Sequence, residues 1–141
     1  MLKKILVPTD GSEYSRRALK IALELAQKFN SEVELLFVMR DQVVYEFDEV
    51  DSYVASAEQI EREGELALKA TLEGIDTSDI SLKKKKLHGN PGNVIIQEVE
   101  NETIDLVVMG SHGYGAIVGS ILGSVSRKVL QGAKCLVLIA K

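Results

Sequence analysis

The segment IDLVVMGSHGYG, residues 104–115, decides the fold class, because a short apolar run leads directly into a glycine-rich loop. Residues 104–109 are apolar except for Asp105, and such a run is typical of a strand that is covered on both faces. Other short runs predict four further strands, at residues 5–7, 33–39, 80–87 and 136–140. The sequence therefore predicts a protein built around five strands.

Amphipathic segments separate the predicted strands. Residues 12–30 place apolar side chains at spacings of three and four, which predicts a helix with Ser12 as its N-cap and Asn30 as its stop. Two further helices are predicted at residues 50–73 and at residues 124–131, the second of them ending at Gly132. Another helix is predicted after the turn at residues 89–92, with Asn93 as its N-cap.

Strands that alternate with helices pair in parallel, because parallel neighbours need crossover connections. We therefore expect an α/β fold in one domain, residues 1–141: an open five-stranded parallel sheet with helices on both faces and strand order 3-2-1-4-5. The four lysines at residues 83–86 suit an edge strand, where charge deters pairing with other sheets.

Composition narrows the function classes. The chain has 141 residues and a net charge of −4, from 21 acids and 17 bases, so no general affinity for nucleic acid or anionic membrane is expected. The lysines at 83–86 could bind nucleic acid, but a solvated edge is the default interpretation. No apolar stretch is long enough to span a membrane, and the apolar start is too short for a secretory signal. We expect a cytoplasmic protein in which the single cysteine, Cys135, is a small hydrophobic residue.

The candidate site follows strands one and four, because ligands of open parallel sheets bind beyond the carboxyl ends of the strands. Glycines are concentrated after strand four, at positions 110, 113, 115, 119 and 123. Residues 123–126 then open a helix whose free N–H groups attract anions, and Ser124 and Ser126 add hydroxyl donors. This pattern favours a phosphate-binding loop. A glycine-rich loop that only permits tight packing, or a site for another small ligand, stays open at this point.

The sequence resembles the universal stress protein family. The pattern Gly110-x-x-Gly113, nine residues, Gly123-Ser124 is similar to that family's ATP-binding signature. Residues 5–12 and 105–113 also resemble the sequences of the family. The resemblance covers essentially the whole chain. Some members of the family lack the glycine signature and do not bind ATP, so its presence here implies the ATP-binding branch.

The resemblance also implies roles for individual residues. Asp10 would lie near the ribose and phosphates and help to hold Mg²⁺, although capping the following helix with Ser12 is an alternative role. The backbone of Val38 would meet the adenine edge, and His112 would neighbour the site without acting as a base. The remaining implied nucleotide-binding residues are Pro8, Thr9, Met109, Gly110, Ser111, Gly113, Gly123, Ser124, Val125 and Ser126.

Two departures from the family pattern stand out. The family often has a basic residue after Gly113, where this chain has Tyr114, so one phosphate contact is missing. The last strand often reads Cys-Pro-Val, where this chain has Cys135-Leu136-Val137. The resemblance implies a homodimer paired through residues 136–140, and Leu136 permits that pairing because it restores a backbone N–H.

Three functions remain in view. The first is a nucleotide-dependent binding module or switch that uses ATP and acts on unknown protein partners. The second is a slow Mg²⁺-dependent ATPase, which ranks lower because the sequence shows no base near the γ-phosphate and no arginine finger. The third is a nucleotide-free interaction protein. We predict no catalytic residue.

Overall fold

Strands and helices alternate along the chain in this computed structural model, which describes residues 1–40, 57–114 and 118–141. The strands are β1 (Lys4–Thr9), β2 (Glu32–Met39), β3 (Ser81–His88), β4 (Leu106–Gly110) and β5 (Leu136–Ala140). The helices are α1 (Glu13–Phe29), α2 (Ala57–Leu72), α3 (Pro91–Asn101) and α4 (Ser124–Gly132). Within the described residues, no helix is long and apolar enough to cross a membrane.

All five strands are parallel and lie in the order β3-β2-β1-β4-β5. The predicted fold class and strand order are therefore confirmed, including the placement of the lysine-rich strand at an edge. Each strand was predicted to within a few residues. β1 extends past Pro8 to Thr9, because the fixed φ of proline is compatible with an extended chain.

Side chains of alternate strand residues form the two halves of the core. Ile5, Val7 and Leu35 pack on the side of α1 and α2, while Leu6 and Leu36 pack against α3 and α4. All five side chains are fully buried. Each such residue stabilises the fold by about 1.5–3 kcal/mol relative to an exposed position.

The helix predicted over residues 12–30 is confirmed as α1, together with both of its ends. The side chain of Ser12 accepts a hydrogen bond from the backbone N–H of Ser15. Asn30 ends the helix in the left-handed region, at φ 54°, which asparagine tolerates better than most residues. For the helix predicted over 50–73, residues 57–72 are helical and residues 50–56 lie outside the described part of the chain.

The predicted cap of α3 was wrong. Asn90 is the N-cap, and its side chain accepts from the backbone N–H of Asn93, which is already inside the helix. Pro91 occupies the first turn, where its missing N–H costs nothing and its φ is preorganised for the helix. The residues that look like a turn in the sequence are therefore the start of a helix.

The lysine-rich strand β3 directs alternate side chains to the two helical layers. Lys86 forms ion pairs with Glu61 and Glu65 of α2. Lys85 points the other way and lies 2.9 Å from a carboxylate oxygen of Glu98 on α3. Half of the lysine run is thus neutralised by the neighbouring helices, which adds a local role to the predicted solvated edge.

Candidate functional site

A cleft of about 960 Å³ opens at the carboxyl ends of β1, β2 and β4. It lies where the strand order reverses, since β1 stands between β2 and β4. β1 pairs with β2 over six residue pairs but with β4 over only two, Ile5–Leu106 and Leu6–Val107, so β1 and β4 are not paired beyond Leu6. Most of the predicted site residues line this cleft: Pro8, Thr9, Asp10, Val38, Met109, Gly110, Gly113, Gly123, Ser124, Val125 and Ser126.

Asp10 fastens the loop after β1 to the loop after β4. One carboxylate oxygen accepts from the amide of Ser12 at 2.9 Å and from the hydroxyl of Ser15 at 3.0 Å. The other accepts from the amide of Tyr114 at 2.8 Å. Burial alone would raise the pKa of Asp10, but these hydrogen bonds outweigh it and hold the pKa below its usual value. Asp10 is therefore an anion that organises both loops.

The signature glycines are required for close contact with neighbouring atoms. A Cβ on residue 113 would lie 2.1 Å from the Oδ2 of Asp10, and a Cβ on residue 110 would lie 2.6 Å from the Cβ of Tyr14. Neither glycine has a positive φ. Both positions exclude any larger residue for steric reasons, because real Cβ atoms do not approach other atoms this closely.

Ser111 links the two halves of the glycine signature. Its carbonyl accepts from the amide of Gly123 at 2.7 Å and from the hydroxyl of Ser126 at 2.8 Å, and its amide donates to the carbonyl of Ala140 at 2.8 Å. Ser111 is buried and is absent from the residues that line the cleft. The structure thus places this predicted contact residue behind the cleft, where it positions α4.

The hydroxyl of Ser126 was expected to donate to a phosphate, but it already has a partner within the protein. A hydroxyl has one proton to donate, and this one goes to the carbonyl of Ser111. Ser126 can therefore offer a ligand its backbone N–H but no hydroxyl proton. The hydroxyl of Ser124 is exposed and has no hydrogen-bond partner in the described part of the chain, so it is available to a ligand.

The first turn of α4 provides backbone donors to the cleft. Gly123 is the N-cap and supplies no side-chain acceptor. The amides of Ser124, Val125 and Ser126 have no acceptor within the helix, since the first N–H groups of any helix are unpaired. These donors, together with the helix dipole, form a site for an anionic group.

His112 is fully engaged in holding the loop. Its Nε2 lies 3.0 Å from the carbonyl oxygen of Ser120, which can only accept, so Nε2 carries a proton in the neutral ring. Its Nδ1 then accepts from the hydroxyl of Ser111 at 2.9 Å. Because both nitrogens have hydrogen-bond partners, the ring helps to position the loop.

The other end of the cleft is apolar. Its walls come from β1, β2, α3 and β4, and the side chains that share this apolar character are Pro8, Leu36, Val38, Met39, Ile95 and Met109. Thr9 also lines this region, but its hydroxyl lies 2.7 Å from that of Thr71 on α2 and packs away from the cleft. A flat apolar ligand group fits this end, and an anionic group fits the other.

Sequence reasoning missed the basic residues of the cleft, which are Arg40, Arg127 and Lys128. The last two directly follow residues 123–126 on the same helix, so their position after the signature was a usable signal. Arg40 follows β2, and its place at the carboxyl edge of the sheet could also have been inferred. Pro91 was missed because α3 was expected to start after it, and Ile95 was missed because its place in the predicted helix did not show that it borders the cleft.

Asp10 is the carboxylate that the loops after β1 and β4 offer to a divalent cation. Among the described residues there is no cluster of three or more acidic, histidine or cysteine side chains that could hold a metal. Asp10 uses three hydrogen bonds of the four that a carboxylate accepts. The donor set fits Mg²⁺ only as the ion usually binds with nucleotides, through one carboxylate, water and phosphate oxygens.

Comparison with known proteins gives consistent matches. The model of the universal stress protein family matches residues 1–141. A universal stress protein of Methanocaldococcus jannaschii is 33% identical over 141 residues, covering 100% of this chain and 83% of that protein.

Solved structures share the fold. UspA from Lactobacillus plantarum has a TM-score of 0.84 at 26% identity and covers 99% of this chain and 98% of its own. A universal stress protein in complex with cAMP has a TM-score of 0.68 at 24% identity, with 99% and 97% covered.

Proposed function

This chain belongs to the universal stress protein family, and from that premise we propose that it binds an adenine nucleotide, with ATP as the expected ligand, and acts as a nucleotide-dependent binding module. One observation carries the proposal. A single cleft joins an apolar pocket, suited to a base, to the unpaired amides of α4, suited to phosphates.

The base would occupy the apolar end. Val38 is half-buried near the carboxyl end of β2, where its backbone would meet a base edge, and Met109 with Gly110 would flank the ribose. The phosphates would extend towards Gly113 and the first turn of α4. This orientation follows from chemistry, since the unpaired N–H groups and the dipole of α4 favour an anionic group at that end.

Mg²⁺ would be held by Asp10 together with phosphate oxygens. The lowered pKa of Asp10 supports this role, because the carboxylate stays ionised throughout the neutral range. When bound, the ion would neutralise phosphate charge. Asp10 would keep its hydrogen bonds to Ser12 and Tyr114 and orient the ion through its remaining lone pair.

Another protein with this fold supports adenine as the base. The structure solved in complex with cAMP is 24% identical to this chain, a likeness that shows the fold alone. It demonstrates that such a sheet can carry an adenine nucleotide. The specific argument for this chain rests on its own cleft.

Binding is favoured over hydrolysis. Of the described side chains that line the cleft, His112 has both nitrogens engaged, and Asp10 is hydrogen-bonded three times. Glu63 remains, on the exposed surface of α2. A slow Mg²⁺-dependent ATPase is the second candidate, and it requires a base to orient water that these residues do not provide.

We also propose a homodimer paired through β5. This strand is an edge of the sheet, and Leu136 is 60% exposed while Leu138 is 38% exposed. An apolar edge strand with free backbone groups invites pairing. Leu136→Asp, compared with the exposed control Lys134→Asp, should convert a dimer to a monomer in sedimentation analysis. The cytoplasmic location stays a prediction.

The proposed function is tested by identifying any nucleotide that the protein carries and by measuring the binding of Mg-ATP. The purified protein is denatured and any nucleotide is identified by chromatography, and the emptied protein is titrated calorimetrically with Mg-ATP. Gly123→Val should abolish binding, because its Cβ would lie 3.3 Å from backbone atoms of Ser111 and His112. Ala70→Val, on the exposed surface of α2 and outside the cleft, is the control for adding a branched side chain.

The outcomes separate the candidates. About one ATP per chain without turnover supports the binding module. ADP in place of ATP, with Mg²⁺-dependent phosphate release, supports the ATPase. A protein that carries no nucleotide and gives no calorimetric signal with Mg-ATP refutes both and leaves an interaction domain.

A further inference from the structure

The charges of α4 run against the usual pattern of a helix. α1 and α2 each have an acid in the first turn, Glu13 and Glu58, and a lysine in the last. α3 and α4 have neither, and in α4 Arg127 and Lys128 follow directly behind the first turn. A cation near a helix N-terminus is unfavourable, because both are positive. An anion bound between them would remove that conflict.

The guanidinium of Arg127 has no partner among the residues described. Arg16 shows how this chain anchors an arginine for structure: its guanidinium donates to the carbonyls of Ala70 and Glu73, both at 2.8 Å. Arg127 lines the cleft on the exposed side of α4, and only its backbone amide is bonded, to Gly123. Its side chain is thus at the cleft and uncommitted.

Lys128 adds charge beside Arg127 but is held in place. Its stem packs over Gly92, where a Cβ would lie 2.6 Å from the lysine Cδ. Its ammonium lies 3.4 Å from the side-chain oxygen of Asn90, a neutral group. Among the described residues, no acidic side chain forms an ion pair with Lys128, so its positive charge at this wall of the cleft is not neutralised.

The loop after β4 supplies no positive charge of its own. Position 114, where the family often has a basic residue, is Tyr114, and its hydroxyl donates to the carbonyl of Gly11 at 3.0 Å. This side chain ties two loops together. The basic side chains on this side of the cleft therefore belong to α4 and not to the loop.

We propose that Arg127 determines how many phosphates the bound nucleotide carries. Its guanidinium pairs with the terminal phosphate of a nucleoside triphosphate, and the cleft therefore selects ATP over AMP. The reach of the arginine side chain from the second turn of α4 suits a phosphate beyond the one held by the first-turn amides. This inference rests on the proposed function and adds the basis of ligand choice.

The test compares AMP, ADP and ATP by calorimetry on the full chain. Arg127→Gln should weaken ATP binding by about tenfold, the factor for one lost charge-assisted hydrogen bond, and AMP binding by less than twofold. The salt dependence of ATP affinity should also fall in the variant. Arg62→Gln on α2 makes the same charge change outside the cleft and should leave all three affinities unchanged.

Each outcome decides something. If Arg127→Gln weakens AMP and ATP equally, or neither, Arg127 does not read phosphate number and the inference is wrong. If the Arg62 variant shows the same loss, only net charge matters and the inference also fails. If the wild-type protein binds none of the three nucleotides, the proposed function fails and takes the inference with it. Arg127→Lys should restore part of the ATP affinity.

Discussion

The carboxyl groups of Glu34 and Glu98 lie within hydrogen-bonding reach of each other in the buried layer between β2 and α3. Lys85 lies 2.9 Å from Glu98, while one oxygen of Glu34 has no partner in the described structure. Two buried carboxylates with one adjacent lysine cannot both ionise without cost. The pair therefore retains a proton well into the neutral range.

Stability should consequently depend on pH through Glu34. Burial first, and then Glu98, raise the pKa of Glu34 to about 7, so the folded chain binds a proton that the unfolded chain, with its ordinary pKa of 4.5, releases. The stabilising contribution is complete below pH 4.5 and is lost as the pH rises through 7. Glu34→Gln should raise the free energy of unfolding relative to wild type at pH 8, by on the order of 2 kcal/mol.

The comparison is made by thermal unfolding from pH 5 to pH 8.5. Glu32→Gln, on the same strand but exposed, controls for the loss of one acid. A Glu34→Gln advantage that is the same at pH 5 and pH 8 would show that Glu34 does not titrate in this range.

The contact between Gly113 and Asp10 predicts a specific coupling. Gly113→Ala should lower the free energy of unfolding by about 1–3 kcal/mol, because the new Cβ meets the Oδ2 of Asp10 at 2.1 Å. In an Asp10→Ala background the same substitution should cost less than half as much, since the clashing atom is gone. Chemical denaturation of the four proteins measures this, and additive effects would contradict it.

Ser126 and Ser124 should respond in opposite ways to alanine. Ser126→Ala removes a buried hydrogen bond to Ser111 and should lower stability by about 1 kcal/mol while leaving a bound ligand its backbone donor. Ser124→Ala should leave stability unchanged and weaken ATP binding severalfold. Paired melting and calorimetry on both variants provide the check, and the reverse pattern would mean that the hydroxyl of Ser126 contacts the phosphates.

The cap of α3 gives a second matched pair. Asn90→Ala should lower the free energy of unfolding by about 1 kcal/mol, because the amide of Asn93 loses its acceptor. Asn93→Ala should change the free energy of unfolding by no more than a few tenths of this amount of about 1 kcal/mol, since the side chain of Asn93 is exposed. Urea denaturation distinguishes the two, and equal effects would argue against Asn90 as the cap.

Sequence pattern was sufficient to predict the elements whose structure depends mainly on their own residues. The buried strand β4 and the helix bounded by Ser12 and Asn30 were predictable, because burial and capping leave periodic and terminal signals in the sequence. The start of α3 was not predicted correctly, because Asn90-Pro91-Gly92 is equally compatible with a turn.

Contacts between distant segments were beyond reach. Gly113 could be recognised as part of a motif, but the reason that a glycine is needed there is the carboxylate of Asp10, more than a hundred residues earlier in the chain. The hydroxyl of Ser126 was expected to face a phosphate, and it is instead used by the carbonyl of Ser111. Both features depend on tertiary neighbours, which a linear pattern does not contain.

The hydrogen bond from Ser111 to Ala140 has a consequence for communication within an assembly. Gly123 and Ser126 both donate hydrogen bonds to the carbonyl of Ser111, and the amide of Ser111 donates to the carbonyl of the last residue of β5. A displacement of β5 along its axis is therefore transmitted to the start of α4 through two successive hydrogen bonds. If a second chain pairs with this edge and a ligand binds at α4, as we propose, we expect each event to change the affinity of the other.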